Sequence, residues 1–463
     1  MSLFNKKRIS IETFKMTSDI VDKLRKGWYS DEYFNQTVQV LNLMAKDGYQ
    51  FGSNPNDLDG IVDVSQVEIG NLEVEMQFFT RRKPFSVVAG IDEAIAILQE
   101  CTGYYEMDNS FVNTYDKLEV LAVEDGEMVH YHGNAKSVQP VLKVRGRYRD
   151  FGHLETALLG VMAVQTRIAT NVYNVLVAAK SKQVLYFPAR FDHYKMQGIS
   201  GYAYWIAVNR YDYDYDTASK TSISTWEQGD WWGGKAGGTI SHSSIACFLG
   251  NTAETMLQYA KYIDVEKPRI ALVDFHNDCV KDIKAVIEAM WEKYWLYSCA
   301  GDYKTASRYK LFAVRPDTSK NMIDASIEPI YSVKNDSGVT PRLVYNIREC
   351  LDTHWLVLVE KYGTGLNEGS LQALENAARA YCQEIKIVVT GGFNADRIRA
   401  FEEVGVPVDI YGVGSSLLEN SSANNTNNDF TADIVKVKIG ASYYELAKVG
   451  RKSCENDHLQ KVQ

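Results

Sequence analysis

Three features are missing from this sequence, and each absence excludes a class of protein. The seven cysteines are scattered, odd in number and without a CxxC pair, which predicts reduced thiols of a cytoplasmic protein rather than a disulfide framework or a zinc site. No apolar run of about 18 residues occurs, and the first residues lack the apolar core of a secretory signal, so no membrane partner is expected. The net charge of −9 argues against general nucleic-acid binding.

What is present is the composition of a globular protein with room for several domains: 463 residues, 45% apolar and 24% charged. Residues 1–150 mix short alternating runs with two helical patterns, which predicts an α+β domain. Residues 151–420 alternate strands, loops and helices, which predicts a parallel sheet with its polar loops at the carboxyl ends of the strands. Residues 421–463 are expected to form a hairpin-like tail that packs on the first domain.

The clearest strand–helix–strand pattern of the second region runs from Ile385 to Leu418. Two strand-like runs each end in a glycine turn, and residues 395–404 between them are typical of a helix. Glycine lets backbone N–H groups approach an anion, and a helix N-terminus adds partial positive charge. Two such turns at neighbouring strand ends predict a phosphate site, although each alone is also explained as an ordinary connection between strand and helix. The phosphate-binding candidates are Gly391, Gly392, Gly412, Gly414 and Ser415.

Charged side chains follow the other predicted strands. An arginine presents a planar fork that suits a carboxylate or phosphate. Asp317 could hold magnesium-bound pyrophosphate or ribose hydroxyls, and His242 could act as a nucleophile towards phosphate or as a charge partner. The alternatives are that Asp274 and Asp317 cap helices and that His193 is a surface residue. The candidates from these loops are Arg190, His193, His242, Asp274, Arg315 and Asp317.

A series of motifs, in order along most of the chain, resembles the nicotinate phosphoribosyltransferase family. The motifs are Ser30–Tyr33, Phe78–Phe85, Glu155–Thr170, Phe187–Arg190, Gly238–Ser243, Val273-Asp274, Val314–Thr318 and the two glycine turns. The sequence departs from the family pattern at Pro188, where the family has glycine, at Phe191, where it has a second arginine, and at Ser319, where it has glycine. The first two departures affect recognition of the base.

The resemblance implies a fold and a reaction. The fold would be an irregular α/β barrel, similar to type II phosphoribosyltransferases, with an α+β N-terminal domain completed by the C-terminal tail, in a homodimer. The reaction would convert nicotinate and phosphoribosyl pyrophosphate to nicotinate mononucleotide and pyrophosphate. It would use ATP and Mg²⁺ and serve NAD salvage.

The resemblance also implies roles for individual residues. His242 would be the phosphorylated histidine, with Arg315 and Asp317 as the other catalytic residues. Arg190 would bind the nicotinate carboxylate, and Tyr33 would stack on the pyridine ring from the partner subunit. The remaining substrate-binding residues would be Phe187, His193, Thr239 and Asp274.

Two other functions stay open from the sequence. The Arg315-Pro316-Asp317 triplet also resembles nicotinamide phosphoribosyltransferase, which would use the neutral amide. The altered turns at Pro188 and Ser319 fit a non-catalytic barrel that binds a phosphorylated metabolite.

Overall fold

The computed structural model describes residues 11–52, 54–328 and 336–462. Internal contacts divide the chain into two compact units. The first unit comprises Met1–Tyr173, Gly198–Thr217 and Leu418–Gln463, and the second comprises Asn174–Gln197 and Ala218–Leu417.

The described residues form α-helices and β-strands throughout the chain. The α-helices are α1 (Ser18–Arg25), α2 (Glu32–Asp47), α3 (Ile91–Cys101), α4 (Glu155–Ala178), α5 (Gln197–Tyr215), α6 (His242–Cys247), α7 (Thr252–Tyr262), α8 (Cys279–Cys299), α9 (Tyr303–Arg308), α10 (Pro341–Thr353), α11 (Trp355–Gly363), α12 (Glu368–Gln383) and α13 (Ala395–Glu403). The strands are β1 (Glu73–Thr80), β2 (Phe85–Val87), β3 (Gly103–Tyr105), β4 (Phe111–Asn113), β5 (Glu119–Ala122), β6 (Met128–His130), β7 (Leu142–Arg147), β8 (Gln183–Tyr186), β9 (Ile270–Leu272), β10 (Ala313–Arg315), β11 (Lys386–Val389), β12 (Ile410–Val413), β13 (Phe430–Ile439), β14 (Ser442–Glu445) and β15 (Gln460–Lys461). Among the described residues, no helix combines the length and the apolar character needed to cross a bilayer.

The first unit contains a six-stranded sheet in the order β14-β13-β1-β7-β5-β15. Each strand is antiparallel to its neighbours. The C-terminal strand β13 pairs with β1 from Val74 to Thr80, so the end of the chain supplies part of the sheet that the N-terminal residues begin. The apolar face of α3, including Ile91 and Ile95, is buried in the core on this sheet. The α+β arrangement predicted for the N-terminal region is therefore present.

The sheet of the first unit also buries charge. Glu75 and Lys143 are both fully buried, and their charged groups lie 3.5 Å apart. Arg145 contacts the same carboxylate at 2.7 Å, and the hydroxyl of Ser453 donates to it at 2.7 Å. Burial alone would raise the pKa of Glu75, but these partners together hold it below its ordinary value. A carboxylate buried among cations in this way stays ionised at neutral pH.

The second unit contains five parallel strands in the order β8-β12-β11-β10-β9. The strands are short, apolar and almost wholly buried, as expected of a parallel sheet covered on both faces. In the residues that the structure describes, β8 and β9 are edges and the sheet is not closed. The predicted parallel sheet is confirmed, whereas the irregular barrel is not.

Two local predictions were wrong. The apolar run 355–360 is typical of a strand by composition, yet it lies in helix α11, where Leu358 is buried and Leu356 is exposed. The alternating tyrosines and aspartates of residues 211–216 favour an exposed loop, yet this run continues α5 to Tyr215. There Tyr211 is buried and stacks on Tyr215 with 4.6 Å between ring centroids. Tertiary packing determined both segments, and a short apolar or aromatic run does not encode it.

Candidate functional site

His242 and Asp274 form a hydrogen-bonded pair at the carboxyl end of β9. His242 is the first residue of α6, whose N-cap Ser241 accepts a hydrogen bond from the Ser244 N–H at 3.2 Å. The Nε2 atom of His242 lies 3.0 Å from Oδ2 of Asp274. The imidazole is 49% exposed, whereas the aspartate side chain is 8% exposed. A carboxylate that accepts from Nε2–H leaves the lone pair on Nδ1, the form of imidazole that acts as a nucleophile.

The pKa of Asp274 reflects its burial. Burial raises this pKa, the neighbouring His242 lowers it, and the charge of Asp317 raises it further, so that the net direction is upwards. Oδ1 of Asp274 is buried and has no hydrogen-bond partner among the described residues. Asp274 is therefore a partner of the catalytic candidate His242, and the helix-cap interpretation is wrong, since Asp278 caps α8.

Arg315 lies at the end of β10 and connects three segments of the second unit. Its Nη2 donates to the carbonyl of Ile240 at 2.9 Å, just before His242 in the chain. Its Nη1 donates to Oγ1 of Thr390 at 3.1 Å and lies 3.4 Å from Oδ2 of Asp317. Burial lowers the pKa of Arg315, and Asp317 opposes that shift. The guanidinium is thus a buried cation that fixes the geometry of the strand ends around it.

Asp317 and the loop after β11 meet above the sheet. The hydroxyl of Thr390 donates to Oδ1 of Asp317 at 2.7 Å. Gly391 follows with φ +92°, and a Cβ built on it would lie 3.4 Å from the same oxygen. Gly392 has φ +72°. In the part of the chain that the structure describes, the N–H groups of these two glycines donate to no other protein group. A carboxylate beside two outward N–H groups suits the hydroxyls and phosphate of a sugar phosphate.

Arg397, which sequence reasoning missed, supports this glycine turn from below. Its Nη1 donates to the carbonyl of Gly391 at 2.6 Å, and its guanidinium lies 4.2 Å from the ring centroid of Phe393. Burial lowers the pKa of Arg397. Because the carbonyl of Gly391 is held towards Arg397, the N–H of Gly392 in the same trans peptide faces the other way. The signal in the sequence was weak: Arg397 is one of two arginines in the first turns of α13.

Gly412 at the end of β12 and Gly414 just after it both lie in close packing. A Cβ at Gly412 would lie 2.5 Å from Cγ2 of Thr390, and a Cβ at Gly414 would lie 2.7 Å from a ring carbon of Phe191. Only glycine allows these approaches without movement. Ser415 is exposed at the start of the short turn Ser415–Leu418 and remains a candidate phosphate contact. The closely packed Gly412 and Gly414 are explained by their neighbours alone.

The loop after β8 holds Phe187, Arg190 and His193. The N–H of Phe187 donates to the carbonyl of Val413 at 2.8 Å, which joins this loop to the end of β12. Arg190 is exposed, lies 5.2 Å from the ring centroid of Phe191, and its charge lowers the pKa of Arg315. His193 is exposed, and its Nδ1 accepts from the Lys195 N–H at 3.3 Å as the cap of a short turn. Arg190 is thus electrostatically coupled to the cluster, whereas His193 has only the contacts of a surface cap.

Two remaining candidates have few contacts. Thr239 is half-buried and precedes Ile240, whose carbonyl binds Arg315. Tyr33 belongs to the first unit, is 60% exposed, and packs against Phe34 with 4.3 Å between ring centroids.

A second histidine–carboxylate pair follows β9, and the sequence did not predict this pairing. Nδ1 of His276 lies 3.0 Å from Oδ1 of Asp282, in the first turn of α8. Burial raises the pKa of Asp282, and the hydrogen bond with His276 lowers it by less. The described residues contain no group of three or more potential metal-binding side chains.

The chain is similar to known proteins in one domain and in its fold. Residues 62–165 match the family model described as quinolinate phosphoribosyl transferase, N-terminal domain. The nicotinate-nucleotide pyrophosphorylase of Pyrococcus furiosus has the same fold, with a TM-score of 0.57 and 24% identity over 99% of this chain and 86% of that one. The human nicotinic acid phosphoribosyltransferase is 14% identical over 79% of this chain and 71% of its own, with a TM-score of 0.48. Residues 62–165 therefore match the N-terminal domain of quinolinate phosphoribosyl transferases, and the likeness to the Pyrococcus furiosus protein shows a shared fold.

Proposed function

We propose that this protein is a nicotinate phosphoribosyltransferase. In the reaction, the pyridine nitrogen of nicotinate forms a bond to C1 of phosphoribosyl pyrophosphate. The bond from C1 to the pyrophosphate oxygen breaks, and pyrophosphate leaves with that electron pair. ATP hydrolysis is coupled to this transfer in NAD salvage.

One observation carries the proposal: the contact of Asp317, Thr390 and Gly391 at neighbouring strand ends. The two free glycine N–H groups support binding of the 5-phosphate, and the Asp317 carboxylate supports binding of ribose hydroxyls or of magnesium on the pyrophosphate. The positive charge of buried Arg315 supports stabilisation of the pyrophosphate as it leaves. In the transition state the sugar carries positive charge and the pyrophosphate leaves as an anion. Catalysis therefore requires correctly positioned charged groups more than a strong base.

The His242–Asp274 pair favours coupling to ATP. Phosphoribosyl transfer alone requires no nucleophile of the enzyme, so an oriented, half-exposed imidazole beside the site needs another explanation. Phosphoryl transfer from ATP to Nδ1 would form an N–P bond and release ADP, and later hydrolysis would restore the ring. Exposed Arg190 supports recognition of the nicotinate carboxylate, with Phe187 at the base of the same loop.

Magnesium fits this site only when it binds together with the substrate phosphates. The described residues provide no metal cage, but Mg²⁺ is commonly held by one or two carboxylates together with phosphate oxygens. Asp317, with a side chain 27% exposed, supplies such a carboxylate. When bound, the ion would neutralise charge on the pyrophosphate.

Quinolinate is the second candidate substrate, because the family model over residues 62–165 bears its name. Nicotinamide is a third, from the Arg315-Pro316-Asp317 motif. The His242–Asp274 pair supports coupling to ATP, and exposed Arg190 supports a base with a carboxylate over the neutral amide.

Turnover by the purified full-length chain tests the proposal. The protein is incubated with phosphoribosyl pyrophosphate, Mg²⁺ and nicotinate, nicotinamide or quinolinate, with and without ATP, and the mononucleotide is measured by chromatography. We expect product from nicotinate and stimulation by ATP. Product from quinolinate or nicotinamide alone would reject the assignment of substrate, and no product from any base would favour the non-catalytic alternative.

His242→Ala tests the role of the histidine separately. The variant is expected to lose stimulation by ATP while keeping some basal turnover. Equal behaviour of variant and wild type in both respects would show that His242 is not phosphorylated.

We further propose that the protein is a homodimer in which Tyr33 reaches the partner's site. Helix α2 has no buried residue, and Val40 and Leu43 on it are each more than half exposed. An uncovered apolar helix surface supports a protein partner. Light scattering after size-exclusion chromatography would measure the mass, and a monomer at micromolar concentration would contradict the proposal.

A further inference from the structure

The histidine–carboxylate pair of His276 has no role in the function proposed above. Nδ1 of His276 lies 3.0 Å from Oδ1 and 3.2 Å from Oδ2 of Asp282. The carboxylate is 5% exposed and also accepts a hydrogen bond from Oγ1 of Thr252 at 3.2 Å. A carboxylate held in this way orients the imidazole through Nδ1.

The other ring nitrogen faces an open space. The His276 side chain is 48% exposed, and no group among the described residues makes a hydrogen bond to its Nε2. Gly250 flanks it: a Cβ at this position would lie 3.6 Å from Nε2, and its φ of +84° favours glycine. The ring is therefore fixed on one side and accessible on the other.

The position of His276 relates it to the candidate site. It follows Asp274 by two residues, so the two Cα atoms lie within about 7 Å, and Asp274 holds His242. Both imidazoles thus belong to the β9 edge of the sheet, while the glycine turns follow β11 and β12. Thr252 begins α7 and Asp282 lies in the first turn of α8, so two helix N-termini, which favour anions, adjoin the pair.

We propose that His276 binds, through Nε2, the phosphate chain that approaches His242. This inference rests on the proposed function and adds a binding residue for its anionic substrate. As an imidazolium, the ring donates from both nitrogens, from Nδ1 to Asp282 and from Nε2 to a phosphate oxygen. No bond to His276 is made or broken. The chain belongs either to ATP or to pyrophosphate, which present the same chemistry.

Affinity for the two phosphate compounds tests the proposal. His276→Gln is made in the full-length chain, and binding of ATP and of inorganic pyrophosphate with Mg²⁺ is measured by calorimetry. Loss of one charge-assisted hydrogen bond is expected to weaken binding about tenfold or more. A change for ATP identifies the nucleotide as the source, and a change for pyrophosphate identifies the leaving group. In turnover, the KM for ATP should rise if the nucleotide is bound, or the KM for phosphoribosyl pyrophosphate if the leaving group is bound, while the KM for nicotinate stays constant.

A matched control is available in the first unit. Nδ1 of His458 lies 3.0 Å from Oε2 of Glu127, and the His458 side chain is 61% exposed. His458→Gln removes the same kind of pair and should leave both affinities unchanged. A second variant, Asp282→Asn, removes the orienting charge and should weaken the same affinity by a smaller factor.

The result that overturns the proposal is wild-type affinity of His276→Gln for both compounds, or no binding of either compound by the wild type. Calorimetry requires no turnover, so failure of the chain to use nicotinate would be recognised separately. A purely structural role for His276 would lower thermal stability without a selective change in phosphate binding.

Discussion

Thr390 and Asp317 join the ends of two adjacent strands: the Thr390 hydroxyl donates to Oδ1 of Asp317 at 2.7 Å. The same oxygen of Thr390 accepts a hydrogen bond from Nη1 of buried Arg315 at 3.1 Å. One hydroxyl therefore forms hydrogen bonds with both a carboxylate and a guanidinium. These bonds hold the two charged side chains in fixed positions beside the glycine turn.

Thr390→Val tests this connection, because valine has nearly the same shape but no hydroxyl. Arg315 and Asp317 each lose a hydrogen bond in a buried place, which is expected to lower the free energy of unfolding by about 1–3 kcal/mol. The KM for phosphoribosyl pyrophosphate should rise about tenfold. Chemical denaturation and steady-state kinetics measure these effects. Thr353→Val, at an exposed site on α10, is the control, and an equal effect there would contradict the assigned role.

Gly391→Ala tests the turn itself. At φ +92° an alanine is strained, which should lower the free energy of unfolding by about 1–2 kcal/mol. Relief of that strain turns the N–H groups away from the proposed phosphate, so the KM for phosphoribosyl pyrophosphate should also rise. Gly365 has φ +81° and nothing near its Cβ position. Gly365→Ala should therefore lose similar stability with no change in KM. If both variants keep the KM of the wild type, the 5-phosphate binds elsewhere.

Much of the second unit was predictable because it is encoded locally. The apolar run 386–389, the glycines after it and the helix that follows form one continuous pattern, and strand ends of a parallel sheet share an edge. Closure of a barrel is not local, since it depends on the pairing of the first and last strands. The described sheet remains open between β8 and β9.

The pairing of side chains was harder to predict than their presence. His242 and Asp274 are 32 residues apart, and both were candidates, but the sequence alone also allowed Asp274 to be a helix cap. The contact between His276 and Asp282 was not predicted, because the two residues are six positions apart across a loop and a helix turn. They come into contact only when the loop before α8 takes its folded conformation beside the first turn of that helix. Such contacts depend on tertiary geometry that no short motif records.

Glu75→Gln tests the buried charges of the first unit. The variant removes the buried carboxylate that lies 3.5 Å from Lys143 and leaves this ammonium with Glu455, which is 2.9 Å away but 74% exposed. Removing one partner of a buried ion pair costs about 3–5 kcal/mol of unfolding free energy, and because Glu455 still contacts Lys143, we expect a loss of about 2–3 kcal/mol. Denaturation monitored by circular dichroism measures it.

Its control uses the same sheet. Glu119 contacts Arg145 at 3.0 Å but is 41% exposed, so Glu119→Gln should cost less than about 1 kcal/mol. A loss of similar size at both positions would mean that Lys143 is stabilised by groups other than Glu75.

Glu93 makes the stability of the first unit depend on pH. Burial raises the pKa of Glu93 to about 7, and the hydrogen bond from Nε2 of Gln165 opposes that shift. Because the folded pKa exceeds the unfolded value, this group's contribution is fully present below about pH 4.5 and is lost as pH rises through 7.

Glu93→Gln removes this titration, and its amide can also donate to Oε1 of Gln165, which is buried without a hydrogen-bond partner among the described residues. The variant should therefore gain stability over the wild type between pH 5 and 8.5, by up to about 3 kcal/mol for a shift of this size. Urea denaturation at both pH values measures the difference, with Glu106→Gln at an exposed site as the control. A difference between variant and wild type that is the same at both pH values would show that Glu93 is ionised throughout, and burial would then not govern its pKa.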